Sequence, residues 1–430
     1  MHFDFESFPA PVTLADGYGI WTVDGKAYKG LGEIRAIAQP QAGVHLVVRF
    51  KGLDDLQRIS LLLNDDEFQA LSFNGQDIPG FQLSVETDDE DVLLHWCPNI
   101  LPLTVAPIDR PKISKIVFHI FSFFNLHRMR NDRLILEDDD WMVTLQQVDN
   151  IAEIERKIRK GDTCRVTHTG GIERKDKTEF ESDEVAEELQ VLRYFMTFVR
   201  GAWCGPVCNI GLDQNGARVL QTFSAPHATS AAIGSWFDYV YPEQMTTLFP
   251  AFSKKWKSSP EWASCLREVI YWYTNANTAG GVPGIDTSII VAQAALERLS
   301  FQYCVVDRKI ISAERFKSPR VRASDKLRML LTSLHIPVEI PASLAEISAV
   351  ASTMAWVDGP HAFSDIRNSL IHPDATGRRE RFRCISDGWR LGLWYLELAL
   401  LAVCAYNGSY ASRLQMTVYG QVTHVPWGKS

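Results

Sequence analysis

"PEWASCLREVIYWYTNAN", residues 260–277, is the stretch in which the period of the hydrophobic pattern becomes unambiguous. Trp262, Leu266, Val269, Ile270 and Tyr273 recur at spacings of three and four, which puts them on one face of an α-helix. Ser259 and Pro260 take the cap and first-turn positions: a serine hydroxyl accepts from a free backbone N–H, and proline has none to lose. The helix is expected to end near Gly280-Gly281.

Towards the C-terminus the same period continues. Ile289, Ala292, Leu296, Leu299 and Tyr303 stripe a second helix, with Asp286 or Thr287 as its cap. Leu327, Leu330, Leu331 and Leu334 stripe a third, and Leu344, Ile347, Val350 and Met354 a fourth. A short helix lies between Pro360 and Pro373, and a long one carries Ile385, Trp389, Leu393, Leu396 and Leu400. Five or six such helices can bury their apolar faces only against one another, as a bundle.

Before about residue 225 the period is two. Short runs such as "GVHLVVRF", "QRISLLL", "FQLSV", "DVLLHW" and "WMVTLQQV" are punctuated by Asn74-Gly75 and Pro79-Gly80, the pattern of a β-sandwich or barrel. Residues 151–225 mix a short helix, a strand at "CRVTH", an amphipathic helix from Ser182 to Gly201, and a hairpin around Asn215-Gly216. The expected fold class is therefore α+β: a β-rich domain at 1–150, a mixed connecting segment at 151–225, a helical bundle at 226–410 and a C-terminal extension at 411–430.

The composition, 46% hydrophobic and 22% charged over 430 residues, belongs to a globular protein and excludes disordered and fibrous classes. "LGLWYLELALLAVCAY", 391–406, is shorter than the roughly 20 residues of a membrane span and contains Glu397, so it reads as a core helix and no membrane partner is expected. The start "MHFDFESFPAP" has no basic segment leading into an apolar run, and eight cysteines are scattered, which together point to a cytoplasmic protein with reduced thiols. Residues 1–150 hold 23 acidic and 12 basic side chains and the remainder 29 and 32, so a polyanion is expected to meet the C-terminal part.

Several motifs fail on their chemistry. In "WCGPVC", 203–208, Val207 widens the cysteine spacing beyond the redox C-x-x-C, and a helix ends there where thioredoxin chemistry needs one to begin. No second ligand pair accompanies Cys204 and Cys208 for zinc, so no metal is expected. "NTAGGVPG", 277–284, lacks the lysine of a phosphate loop, so no cofactor is expected, and "NDDE", "ETDDED" and "EDDD" read as solvated acidic loops. Arg328 and His335 read as a helix flank and a helix terminus.

"FSDIRNSLIHPD", 363–374, stands apart. Residues five apart on a regular helix point about 140° away from each other, so Arg367 and His372 converge only if one of them leaves the helix. Pro373 provides for this, because the residue before proline is pushed out of the α region. Phe363, Ile366 and Leu370 are assigned to the buried face, leaving Arg367 and Asn368 on the flanks. A cation, an amide and an imidazole then gather at one helix end. The same residues also suit the negative end of a helix dipole, which is the purely structural alternative. Asp365 and Asp374 read as helix-terminus and turn residues, not as metal ligands.

"RNSLIH" resembles the motif of the HEPN superfamily, an arginine commonly followed by Asn, Asp or His, with a histidine after four to six residues. The resemblance extends over roughly 250–408, where "IYWYTNAN", "TSIIVAQAALERLSF" and "FSDIRNSLIHP" look like ApeA-type HEPN proteins of bacterial defence. It implies a helical bundle that forms a homodimer with two motifs facing one cleft, and a metal-independent ribonuclease in which Arg367, Asn368 and His372 are catalytic. It implies an N-terminal region that senses a phage-derived or cellular trigger. Imidazole moves protons near neutral pH and guanidinium stabilises charge on phosphorus, which suits RNA as substrate. Arg378, Arg379, Arg381 and Arg383 after the motif, with Arg320 and Arg322 beside Arg315 and Lys317 before it, are the candidates for gripping RNA phosphates. The rival reading is a non-catalytic HEPN module for dimerisation or binding.

Overall fold

The structure, a computed structural model, describes residues 10–428 except 24, 38–42, 63–69, 89–90, 100–102, 106–109, 127–132, 161–164, 225–233, 279–283, 373–377 and 416–418. The α+β class holds: β-rich structure precedes a helical region. The first sheet contains β1 (Val12–Val23), β2 (Lys26–Ile37), β3 (Gly43–Phe50), β4 (Ala70–Phe73), β5 (Gln76–Asp77), β6 (Gly80–Asp88) and β7 (Asp91–Pro98), in the order β5-β4-β1-β2-β3-β7-β6. The β4–β5 turn has Asn74 and Gly75 both at positive φ, 51° and 82°, as a tight hairpin turn requires. The second sheet contains β8 (Leu103–Val105), β9 (Lys115–Phe121), β10 (Arg133–Glu137), β11 (Trp141–Gln147), β12 (Val166–Arg174), β13 (Val207–Leu212) and β14 (Arg218–Phe223), in the order β10-β11-β12-β9-β13-β14-β8.

One expected strand is a helix. The described part of "QRISLLL", residues 57–62, falls in α1 (Asp55–Leu62), because Asp54 opens a capping box: the Gln57 N–H donates to Asp54 Oδ1 at 2.8 Å and the Asp54 N–H donates back to Gln57 Oε1 at 3.2 Å. The remaining helices are α2 (Ile151–Arg159), α3 (Ser182–Arg200), α4 (Glu243–Lys257), α5 (Pro260–Thr278), α6 (Ile285–Ser300), α7 (Ala313–Lys317), α8 (Ala323–Ser333), α9 (Ala345–Val350), α10 (Gly359–Ile371), α11 (Arg378–Arg383) and α12 (Ile385–Val403). A π-helical stretch, Phe301–Asp307, prolongs α6, and the last strands are β15 (Ser409–Tyr410) and β16 (Thr423–His424).

The chain forms two compact units that interleave in sequence: Met1–Phe123, Leu145–Glu187 and Pro206–Ala231 form one, and Phe124–Thr144, Glu188–Gly205 and Ala232–Ser430 the other. Side-chain burial explains the interleaving. Val207, Cys208 and Phe223 of the β13–β14 hairpin share the first unit's core with Trp21, Phe50 and Trp96, so two sheets bury their apolar faces together. The second half of α3 belongs with the helices: Phe195 packs edge-on to Phe249 at 5.0 Å, and Phe198 edge-on to Tyr273 at 5.6 Å.

In the second unit, Ile285–Asp307 is the one helix among the described residues that is long and apolar enough to cross a membrane, with 56% of its most apolar window buried in the protein. The apolar run 391–406 falls mostly in α12, where Glu397 is fully buried. Its Oε1 accepts from the Tyr273 hydroxyl at 2.5 Å and from Arg413 Nη2 at 2.7 Å. Arg413 Nη2 also donates to Asn277 Oδ1 and to the Gly234 carbonyl, each at 2.8 Å. The segment after the bundle therefore supplies the cation that neutralises the bundle's buried carboxylate, and it is a structural part of that core rather than an appendage.

A second ionic cluster joins Asp138, Glu188 and Lys257. The Lys257 ammonium lies 2.6 Å from Asp138 Oδ2 and 2.5 Å from Glu188 Oε2, and Ser253 donates to Asp138 at 2.7 Å. Asp138 is thus not in a solvated acidic loop. Burial, followed by the neighbouring Asp138 charge, pushes the Glu188 carboxyl up to about 7 despite Lys257. A carboxyl raised on folding contributes stability that is fully present below its unfolded value of about 4.5 and is lost as pH rises through about 7. Chemical denaturation at pH 5.5 and 7.5 should show the wild type gaining stability at the lower pH through this group. Glu188→Gln should reduce that gain; an identical pH dependence in both proteins would contradict the assignment.

Candidate functional site

α10 begins at Asp358, whose Oδ1 accepts from the His361 N–H at 2.8 Å, and Pro360 occupies its first turn. Arg328 of α8 grips the Asp358 carboxylate with two nitrogens, at 2.5 and 3.1 Å, and holds Asp325 at 2.7 Å. Arg328 and His335 are thus a structural anchor and a residue just beyond α8, with His335 at φ 56°.

Of the expected apolar face of α10, Phe363 and Ile366 are fully buried and Leu370 is half-buried, and the burial is wider than that face, because Gly359, Pro360, Ala362 and Ser364 are buried as well. Two glycines of α12 make room for them. A Cβ at Gly392 would lie 2.4 Å from the Phe363 ring, and one at Gly388 would lie 3.3 Å from Ile366. α10 therefore seats closely on α12, and its other flank is left at the surface.

At the far end the chain leaves the helix at His372, which has extended backbone (φ −104°, ψ 124°) and an exposed side chain. Its N–H donates to the Asn368 carbonyl at 2.8 Å, closing the last turn. Arg367 is half-buried and donates from Nη1 to Asn368 Oδ1 at 3.2 Å, while its buried Nε has no partner among the described residues. Pro373 and Asp374 lie outside the described residues.

Asp365 accepts on one oxygen, Oδ2, from Trp356 Nε1 and from Arg381 Nε, each at 2.8 Å. This link ties α11 to α10 two residues before Arg367, and it gives Arg381 a structural partner that the sequence does not foreshadow. The two charges are sixteen residues apart, so no helical period connects them. Arg383 is exposed; Arg378 and Arg379 lie in α11, but their side chains are outside the description. Arg320 and Arg322 are exposed on the approach to α8, where the Arg322 N–H donates to Asp325 Oδ2 at 3.1 Å. No hydrogen bond or ion pair joins either of them to α10 or α11 among the described residues. Arg367, Asn368 and His372 thus lie in the last turns and at the exit of one helix, where Arg367 bonds the Asn368 side chain, while Arg381 is tied to Asp365 and the Arg320–Arg322 stretch to α8.

Burial pushes the Cys204 and Cys208 thiols each up to about 12, so neither is a thiolate at neutral pH. No group of three or more His, Cys, Asp or Glu side chains among the described residues is placed to hold a metal ion.

Residues 109–233 match the YopA central domain, and residues 259–424 match the YopA C-terminal domain. The SPbeta prophage-derived uncharacterized protein YopA of Bacillus subtilis (strain 168) is 24% identical over 437 residues, covering 97% of this chain and 95% of that protein. No solved structure matches the chain. The chain is therefore similar to a prophage-derived YopA protein along nearly its whole length, and α10 with its Arg367–His372 end lies within the stretch similar to the YopA C-terminal domain.

Proposed function

We propose that this chain is a cytoplasmic, metal-independent endoribonuclease of the HEPN type that cuts RNA at the C-terminal end of α10 and serves in phage defence or a stress response. The observation that carries the reading is the exit of His372 from α10, which exposes an imidazole one turn after an arginine whose buried Nε donor has no internal partner. In the proposed reaction the ribose 2′-hydroxyl attacks the adjacent phosphorus and the bond to the 5′-oxygen breaks, giving a 2′,3′-cyclic phosphate and a 5′-hydroxyl. His372 moves the proton of the attacking or leaving oxygen, Arg367 stabilises the charge on the phosphoryl oxygens, and Asn368 orients the phosphate.

One motif imidazole per chain serves as acid or base at a time, so the full reaction uses a homodimer in which a partner copy supplies the other. The similarity to a prophage-derived protein supports a place in phage–host conflict, with the β-rich unit as the sensor of a phage-derived or cellular trigger. The engagement of Arg381 with Asp365 favours the second reading, a non-catalytic module whose arginines brace the bundle.

The test is cleavage of total RNA and tRNA by the purified chain in excess EDTA, with matched 2′-deoxy substrates. The account expects cleavage of the ribose substrates to persist in EDTA and the deoxy substrates to remain intact, since an intramolecular 2′-oxygen replaces a metal-activated water. Loss of all activity in EDTA with recovery on magnesium, or cutting of single-stranded DNA, contradicts it.

A further inference from the structure

Residues 308–322, "RKIISAERFKSPRVR", hold six basic side chains and one acidic one, Glu314. All six cations, Arg308, Lys309, Arg315, Lys317, Arg320 and Arg322, are exposed. Elsewhere in the second unit Lys257, Arg298, Lys326, Arg328, Arg381 and Arg413 each meet a carboxylate at 3.3 Å or less. Here Arg308 lies 4.0 Å from Asp307, and no carboxylate among the described residues pairs with the other five. Asp325, the next carboxylate along the chain, is taken by Arg328 at 2.7 Å and by the Arg322 backbone N–H at 3.1 Å.

The segment is not a free tail. Phe316 is buried and packs edge-on to Phe301 at 5.5 Å, and the Lys326 ammonium covers the Phe316 ring at 4.9 Å. Ser312 caps α7, its Oγ accepting from the Arg315 N–H at 3.2 Å. Two turns follow: the Ser318 N–H donates to the Arg315 carbonyl at 3.1 Å, and the Val321 N–H to the Ser318 carbonyl at 3.0 Å. Each such turn holds its ends within about 7 Å, so the backbone from Arg315 to Val321 fits within about 14 Å. Neighbouring cations on it lie within about a Debye length of one another, and their fields add. The Lys317 ammonium sits over the Phe301 ring at 5.9 Å and the Arg308 guanidinium over the Tyr303 ring at 5.5 Å. Those rings are two residues apart in the π-helical stretch, so the segment returns on itself and Arg308 joins the cluster.

Like charges fixed together without acids repel one another, and a polyanion relieves that repulsion. The side chains narrow the class of polyanion. Val306 and Ile310 are exposed at the Arg308 end, but from Ser312 to Arg322 Phe316 is buried and Val321 half-buried, leaving no large apolar side chain exposed. The cluster therefore lacks the apolar centre of a protein interface and the apolar face that enters a lipid surface. Three of its four close cations are arginines, whose planar fork matches phosphate oxygens. We propose that Arg315, Lys317, Arg320 and Arg322, flanked by Arg308 and Lys309, form a docking surface for the phosphodiester backbone of a nucleic acid, separate from the end of α10. RNA and DNA share that backbone. The surface uses none of the α10 residues, so it stands or falls apart from the cleavage reading.

The experiment measures binding to the full-length protein at 50 and 200 mM salt with four probes: a 2′-O-methyl oligoribonucleotide, which internal attack cannot cut, duplex DNA, polyglutamate and anionic lipid vesicles. Binding is expected to one or both nucleic acids, which identifies the source. Four phosphate contacts on a single strand give a slope of about −2.8 in log K against log salt, a weakening of about 50-fold between the two concentrations. Arg315→Gln/Lys317→Gln/Arg320→Gln/Arg322→Gln should lose that slope and bind about tenfold or more weaker at 50 mM salt, with an unchanged urea denaturation curve. Arg320→Gln alone should flatten the slope by about 0.7, which carries the test should the quadruple variant misfold. These results in a protein that never cuts RNA support the surface and remove only the cleavage reading. The proposal is overturned if neither nucleic acid binds, if folded variants keep the wild-type affinity and slope, or if polyglutamate or vesicles bind as tightly as the nucleic acids.

Discussion

His372→Ala is expected to leave a folded protein without the proposed RNA cleavage. The imidazole is exposed and outside the helix, so its removal leaves no cavity and no buried donor unsatisfied, and the Asn368 carbonyl keeps the backbone N–H that closes α10. Stability is therefore expected to change by no more than about 0.5 kcal/mol. Catalysis is expected to fall by about 10²- to 10⁴-fold, the usual contribution of a positioned acid or base, and by more if both protomers lose their imidazole in one shared site. Arg367→Ala should fall comparably, and Arg367→Lys should not restore activity where two-pronged contact with phosphate oxygens is required. The measurements are initial cleavage rates alongside a denaturation curve. A well-folded His372→Ala protein with unaltered rate would remove the proposed chemistry from this helix end.

The largest stability effect is expected at Arg413. Its guanidinium neutralises Glu397, which is fully buried in α12 and also receives the Tyr273 hydroxyl. Arg413→Ala strands that carboxylate in the core, and breaking a buried pair by removing one partner typically costs about 3–5 kcal/mol. The double variant Arg413→Ala/Glu397→Gln removes the stranded charge as well, so it should be more stable than Arg413→Ala alone. Urea denaturation of the three proteins decides the matter; a loss below about 1 kcal/mol for Arg413→Ala contradicts the arrangement.

The change of period from two to 3.6 carried the fold class, because burial of one sheet face or one helix stripe leaves a direct imprint on the residue pattern. α5, α8 and α12 follow their apolar stripes. α4 does not, since Pro250 sits within it and reads as a break, while Met245, Leu248, Phe252 and Trp256 nevertheless bury one face. α1 was hidden for the opposite reason: its β-like composition outweighs a capping box of only two side chains. The end of α10 at Ile371 was legible because a proline acts on its immediate neighbour. Partners set by tertiary contact were not legible: Asp365 with Arg381, Asp138 with Lys257, and Glu397 with Arg413 each join elements that no local rule relates. The same limit explains why Arg381 reads in sequence as one more exposed cation.

In the proposed reaction the end of α10 cuts RNA by internal attack of the ribose. The chemistry of the product ends records that attack, read by mass spectrometry after the purified chain has acted on a defined oligoribonucleotide in EDTA. The account predicts a 2′,3′-cyclic phosphate, or the monophosphate formed by its hydrolysis, paired with a 5′-hydroxyl, and none of these with His372→Ala. A 3′-hydroxyl paired with a 5′-phosphate, or the same products from His372→Ala at the same rate, contradicts it.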